Sequence, residues 1–213
     1  MIKESHYLDY FNNLLDGNKA GCMAVISQIE SEKTGLTDIY VNLFQRSLYQ
    51  IGKMWEKNKI TIAEEHNATR ITDAIITSYF SRLKPARSKN KSAVVACINK
   101  EFHEIGAKMA SHIFEYNGWN TFFLGASTPP KELIKFIKLK QPEIVGLSFN
   151  FYLNFLKLVE VIDHIRRFFP EQKIILGGQG IKSFRKKLSQ DYPEITTFES
   201  ITDLNDYLKK YDG

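Results

Sequence analysis

After residue 91 the chain alternates between short apolar runs and stretches of helical length, and this alternation constrains its fold more than any other feature. The runs are Val94-Val95-Ala96-Cys97-Ile98, Thr121-Phe122-Phe123-Leu124, Ile144-Val145-Gly146-Leu147 and Lys173-Ile174-Ile175-Leu176. Their apolar character is too continuous for strands with one face in water, which predicts strands buried on both faces. Helices are expected between them over about 104–117, 130–140, 153–168 and 181–190. A weaker strand near Thr196-Thr197-Phe198 precedes a last helix at about 201–211. Strand and helix in strict succession predict an α/β domain over 92–213, a doubly wound, flavodoxin-like parallel sheet of five strands.

The first 84 residues follow a different pattern. They contain no proline, and their apolar residues recur at steps of 3 and 4. Phe44, Leu48, Ile51 and Trp55 form one such stripe; Ile62, His66, Thr69, Asp73, Ile76, Phe80 and Leu83 continue the period in another. Breaks at Gly17-Asn18 and over Ser31–Gly35 divide the preceding chain into helices over about 5–15 and 18–31. Thr61 followed by Glu64 has the spacing of a capping box at the start of the fourth helix. A four-helix bundle cap over 1–84 is expected, with the basic, polar stretch 85–91 as linker.

Composition excludes several classes. With 43% hydrophobic and 25% charged residues the chain has material for a core and no bias towards disorder. The net charge of +5 comes from basic residues scattered along the sequence, whereas a nucleic-acid surface needs them clustered. Cys22 and Cys97 are too far apart in sequence to read as a metal knuckle, and two cysteines make no disulfide framework. No apolar run approaches the roughly 18 residues of a membrane span, and the first residues have no signal-peptide core. The expected setting is cytoplasmic, with no membrane association.

In a sheet of this kind ligands bind beyond the carboxyl ends of the strands, at the switch point between the first and third. Three loops meet there: Asn99 to Gly106, Ser148-Phe149-Asn150, and Gly177-Gly178-Gln179-Gly180. His103 can coordinate a metal through one ring nitrogen while Glu101 accepts a hydrogen bond from the other. An exposed loop histidine beside two solvated glutamates is the plainer account of the same residues. Gly106 removes a side chain where a bulky group could pass, and the glycine turn lets backbone approach a ligand closely. It lacks the spacing of a dinucleotide fingerprint and the Lys-Ser/Thr of a phosphate loop. Phe149, Asn150 and Gln179 share the rim by position only. In the bundle, His66 and Trp55 lie on apolar stripes, where core packing accounts for them as well as ligand binding does. No nucleophile elbow, Cys-His pair or zinc helix is present in the sequence.

Glu101-x-His103-x-x-Gly106 after the first strand, Ser148 after the third and Gly177-Gly178 after the fourth together resemble the signature of cobalamin-binding Rossmann-like domains, which are commonly preceded by a four-helix cap. The usual motif has Asp where Glu101 stands. The resemblance implies a corrinoid bound base-off, with His103 as the lower cobalt ligand and the nucleotide tail running past Ser148, Gly177 and Gly178. Within that family, Trp55, nine further residues and then Glu65-His66 are similar to the pattern of adenosylcobalamin-dependent photoreceptors of the CarH type. That similarity implies that Trp55 packs over the adenosyl group in the dark, that Glu65 lies nearby, and that His66 binds cobalt after light removes the group. Photoreceptors of this type begin with a helix-turn-helix DNA-binding domain. The helices here are all needed for the bundle, so no direct contact with nucleic acid is expected.

The expectation is therefore a cobalamin-binding light sensor, not an enzyme, with adenosylcobalamin preferred over methylcobalamin. It would signal through a protein partner such as a transcription regulator and could form a homo-oligomer. A corrinoid carrier of a methyltransferase system is the alternative, and a cobalamin storage or delivery module is a third.

Overall fold

The computed structural model describes residues 1–211; residues 212 and 213, the last two of the expected α/β domain, lie outside the described residues. The chain divides into two compact units, the first covering Met1–Leu83 and the second beginning at Lys84.

The first unit is helical. Its helices are α1 (Glu4–Leu15), α2 (Lys19–Ser31), α3 (Leu36–Ile39), α4 (Arg46–Glu56) and α5 (Ile62–Phe80). Between α3 and α4, Tyr40–Gln45 is π-helical with right-handed backbone at both junctions, so Leu36 to Glu56 is one continuous rod. The stripe beginning at Phe44 is the latter part of that rod, and four rods make the bundle. Its interior is filled by Tyr10, Leu14, Ile26, Ile29, Ile39, Tyr40, Leu43, Phe44, Ile51 and Ile75, all buried. The capping box forms as its spacing predicts: Thr61 Oγ1 accepts from the Glu64 amide, and the Glu64 carboxylate accepts from the Thr61 amide.

One reading of the bundle needs correction. The buried line of α5 runs through Ala68, Ile71, Thr72, Ile75, Ile76 and Tyr79, whereas Ile62 and His66 are exposed. Extending the stripe to its start gave polar His66 and Asp73 core places only to keep the period. The core explanation of His66 fails with it. Trp55 is 44% exposed and so is not a core aromatic either.

The second unit contains β1 (Ser92–Cys97), α6 (Ile105–Tyr116), β2 (Asn120–Gly125), α7 (Pro130–Lys140), β3 (Ile144–Ser148), α8 (Phe155–Phe168), β4 (Lys173–Gly177), α9 (Ile181–Asp191), β5 (Thr196–Thr197) and α10 (Ile201–Lys210). All strand pairs are parallel, and among the described residues the order is β2-β1-β3-β4-β5, the flavodoxin-like order. Alternation at period 2 sends Val94, Ala96, Ile98, Val145, Leu147, Ile174 and Leu176 into one core with α7, α8 and α9. Helices α6 and α10 pack together, with α6 against β1 and β2. Register then decides what meets at the rim: Cys97 lies opposite Ser148, and Ser148 opposite Gly177, so the ends of β1, β3 and β4 are level.

Candidate cofactor site

The loop after β1 turns at once. Lys100 adopts a positive φ of 64°, and the Glu101 amide returns a hydrogen bond to the Ile98 carbonyl, which folds Glu101 back under the loop. Its side chain is 1% exposed, so the two glutamates beside His103 are not both solvated. The second, Glu104, is half-buried and accepts from the Ala126 amide.

Glu101 is the electrostatic centre of the site. One oxygen accepts from His103 Nδ1 at 2.6 Å and from the His103 amide at 3.1 Å; the other accepts from the amides of Asn150 and Phe151, both at 2.9 Å. Burial by itself raises a carboxyl pKa. Here the bonds from the His103 ring and from the amides of Phe151, His103 and Asn150 outweigh burial and hold Glu101 down to about 2. At neutral pH it is therefore a carboxylate and can only accept, so the shared proton sits on His103 Nδ1, which in the neutral ring leaves the lone pair on Nε2. This tautomer is the one that offers Nε2 to a metal, and the ring itself is 75% exposed.

The other rim residues close around this pair. Ser148 is buried at the end of β3, and its hydroxyl accepts from Asn150 Nδ2 at 3.2 Å. Asn150 Nδ2 also donates to the His103 carbonyl, and Asn150 Oδ1 accepts from the Gln179 amide. The β1 loop is held from further sides by Ser127 Oγ, which accepts from the Lys100 amide, and by Asn154 Nδ2, which donates to the Lys100 carbonyl. Cys97 lies beneath, its thiol pushed up to about 12 by burial and then by the charges of Glu101 and Glu104.

The glycines separate into two kinds. Gly178 has φ +108°, and a Cβ there would stand 2.3 Å from the Phe149 carbonyl oxygen, so the turn itself requires glycine. Gly106 and Gly177 meet nothing within 4 Å of a built Cβ and have no positive φ. Packing does not demand glycine at either place, which is what a surface kept open for a ligand would show. Thr128 Oγ1, whose residue is tied to the Cys97 carbonyl through its amide, is buried without a hydrogen-bond partner. In the loops that follow β1 and β3 the side chains of Phe102, Phe151, Tyr152 and Leu153 are exposed. A flat, largely apolar macrocycle carrying its own metal fits these residues. Among the described residues no cluster of three or more His, Cys, Asp or Glu side chains is arranged to hold a metal ion.

Glu101, His103, Gly106, Ser148, Gly177 and Gly178 are thus brought together at one rim of the second unit. Trp55, Glu65 and His66 belong to the first unit. Trp55 lies in the last turn of α4, and Glu65 and His66 lie near the start of α5, which packs on α4. Glu65 accepts from Thr69 Oγ1 at 2.9 Å, and its other oxygen is 3.7 Å from His66 Nε2. Sequence reasoning passed over Ser127, Thr128 and Asn154, and gave Glu104 only as a solvated neighbour of His103 and Asn150 only a place on the rim. The one available signal was their position in loops that follow strand ends.

Comparison with known proteins bears on the family and the fold. A family model described as a B12 binding domain matches residues 91–199, and a second model with the same description matches residues 9–78. Among curated proteins, the HTH-type transcriptional repressor CarH of Myxococcus xanthus is 29% identical over 101 residues, 47% of this chain and 33% of that protein. The repressor CarA of the same organism is 25% identical over 130 residues, 61% of this chain and 45% of that protein. The chain therefore spans less than half the length of the curated relatives it matches. Among solved structures, the monomethylamine corrinoid protein of Methanosarcina barkeri superposes with a TM-score of 0.80 over 99% of this chain and 100% of that one, at 14% identity. At that identity the likeness is one of fold. Among the described residues, no helix is long and apolar enough to cross a membrane.

Proposed function

The chain belongs to the B12 binding domain family and binds cobalamin, and from that premise we propose that it is a light sensor that holds adenosylcobalamin and signals through a protein partner. The observation that carries this reading is the exposure of Trp55 and His66. Set with Glu65 at the spacing Trp55, nine residues, Glu65-His66, they stand at the adjoining ends of α4 and α5, and the core does not account for them.

The residues divide the work. His103 would hold cobalt through Nε2, with Glu101 fixing its tautomer and orientation. Gly106, Ser148, Gly177 and Gly178 make room for the nucleotide tail and accept its polar groups. Trp55 would offer a flat apolar face to the adenosyl group, with Glu65 nearby. Adenosylcobalamin supplies a cobalt–carbon bond that visible light cleaves. His66, whose imidazole has a ring nitrogen to offer a metal, would hold cobalt once the adenosyl group has left. A transcription regulator is the partner that likeness to the two repressors favours.

The likeness in fold to a monomethylamine corrinoid protein favours a second reading, a corrinoid carrier that presents methylcobalamin to a methyltransferase. His103 and Glu101 keep their roles in it; His66 has none. The visible spectrum of wild type and His66→Ala, each loaded with adenosylcobalamin in the dark and then given green light, separates the two. Wild type should end with nitrogen ligands on both sides of cobalt, and His66→Ala with water or hydroxide on one. Identical end spectra would remove His66 from the site and leave the carrier reading in front.

A further inference from the structure

Asn150 makes four polar connections across the rim. Its amide nitrogen donates to Glu101 Oε2 at 2.9 Å; its side-chain Nδ2 donates to the His103 carbonyl at 3.1 Å and to Ser148 Oγ at 3.2 Å; its Oδ1 accepts from the Gln179 amide at 3.1 Å. These partners lie in the loop after β1, at the end of β3 and in the turn after β4, so one residue ties three segments together. Its two side-chain ends are the ends of one planar amide, and they cannot move independently. A Cβ on Gly178 would come within 3.0 Å of Oδ1, so the glycine turn and the amide are also in close contact.

His103 is held at its amide and ring by Glu101, and at its carbonyl by Asn150. Displacing the Gln179 amide draws on Asn150 Oδ1, turns the planar group and shifts the donor on the His103 carbonyl. Resting on the cofactor reading above, we propose that Asn150 is a positioning residue that couples the Gly177–Gln179 turn to His103, so that a nucleotide tail lying on that turn sets how firmly His103 holds cobalt. Asn150 does not touch cobalt in this role. It acts through the carbonyl of the residue that does.

The test compares cobalamin with cobinamide, which has the corrin and cobalt but no nucleotide tail, by their dissociation rates from the full chain. Asn150→Ala should release cobalamin roughly fivefold faster, the equivalent of about 1 kcal/mol of lost hydrogen bonding, and cobinamide at a nearly unchanged rate. Asn150→Asp keeps an acceptor for the Gln179 amide and loses the donor to the His103 carbonyl. It should fold with Gln179 still protected from hydrogen exchange, yet release cobalamin as Asn150→Ala does. In a His103→Ala background, Asn150→Ala should add no further loss. Equal acceleration for both corrinoids, or an effect that persists without His103, would make Asn150 a general structural residue and overturn the proposal. So would an unchanged cobalamin rate in both variants. A parent protein that bound neither corrinoid would overturn the cofactor reading itself, and this proposal with it.

Discussion

Glu101 shows how much a single buried charge can organise. It is a carboxylate within a protein interior, and it is tolerable there because four donors converge on it, three of them backbone amides from two loops. The folded protein holds its pKa at about 2 against an ordinary 4.5. The unfolded chain therefore binds the proton more readily, so the stability contributed by Glu101 is complete above about pH 4.5, declines as pH falls through the window, and is gone below about pH 2. A shift of this size corresponds to about 3 kcal/mol. Glu101→Gln keeps the shape and removes the charge, so the ligand-free variant should melt well below wild type at pH 7, with the gap closing towards pH 3. A gap independent of pH would mean that shape, and not charge, is what the site uses. The sequence pointed to Glu101 through its spacing from His103. That its other oxygen would cross to the loop after β3 could not be read there, because a contact between loops 49 residues apart is made by the sheet register.

At the level of elements, legibility followed the source of the order. Strands buried on both faces announce themselves by composition, and the four apolar runs are β1 to β4 within a residue or two of their ends. β5 is only two residues long and was correspondingly faint. The phase of α5 was misjudged at its start, because periodicity counts any residue that falls on the stripe while burial depends on what stands opposite. The π-helical turn from Tyr40 to Gln45 left no mark in the sequence, since its residues are ordinary helix formers there. The turn between β4 and α9 carries a prediction that separates the two kinds of glycine. Gly178→Ala forces a side chain into a left-handed φ against the Phe149 carbonyl and should cost roughly 1–3 kcal/mol of stability before any ligand is added. Gly177→Ala meets open space, so thermal melting of the ligand-free protein should be unchanged while cobalamin affinity falls by about tenfold, the equivalent of about 1.4 kcal/mol. An unchanged affinity in Gly177→Ala would take that residue out of the site.

For the molecule as a whole, the question is whether one cofactor engages both compact units. His103 and its network belong to the second unit and Trp55 and His66 to the first, so the light-sensor reading requires cobalamin to stabilise both, whereas a cofactor held by the second unit alone would stabilise only that one. Mass action gives the size: a ligand present at 100 times its dissociation constant adds about 2.7 kcal/mol to whatever must be folded to bind it. The chain has two tryptophans, one in each unit, and each reports on its own surroundings. Trp119 is buried against Phe114 and Tyr211 with its indole N–H unpartnered, so Trp119→Phe removes an orphan donor and should fold normally. In that variant the fluorescence of Trp55 follows the bundle alone. Adenosylcobalamin in the dark should raise the midpoint of the Trp55 transition by several degrees, and His103→Ala added to the same background should weaken the rise, because the bundle would then depend on a cofactor less firmly held. A Trp55 midpoint that ignores saturating cobalamin, while the second unit is stabilised, would sever the bundle from the cofactor and end the case for His66 as a ligand.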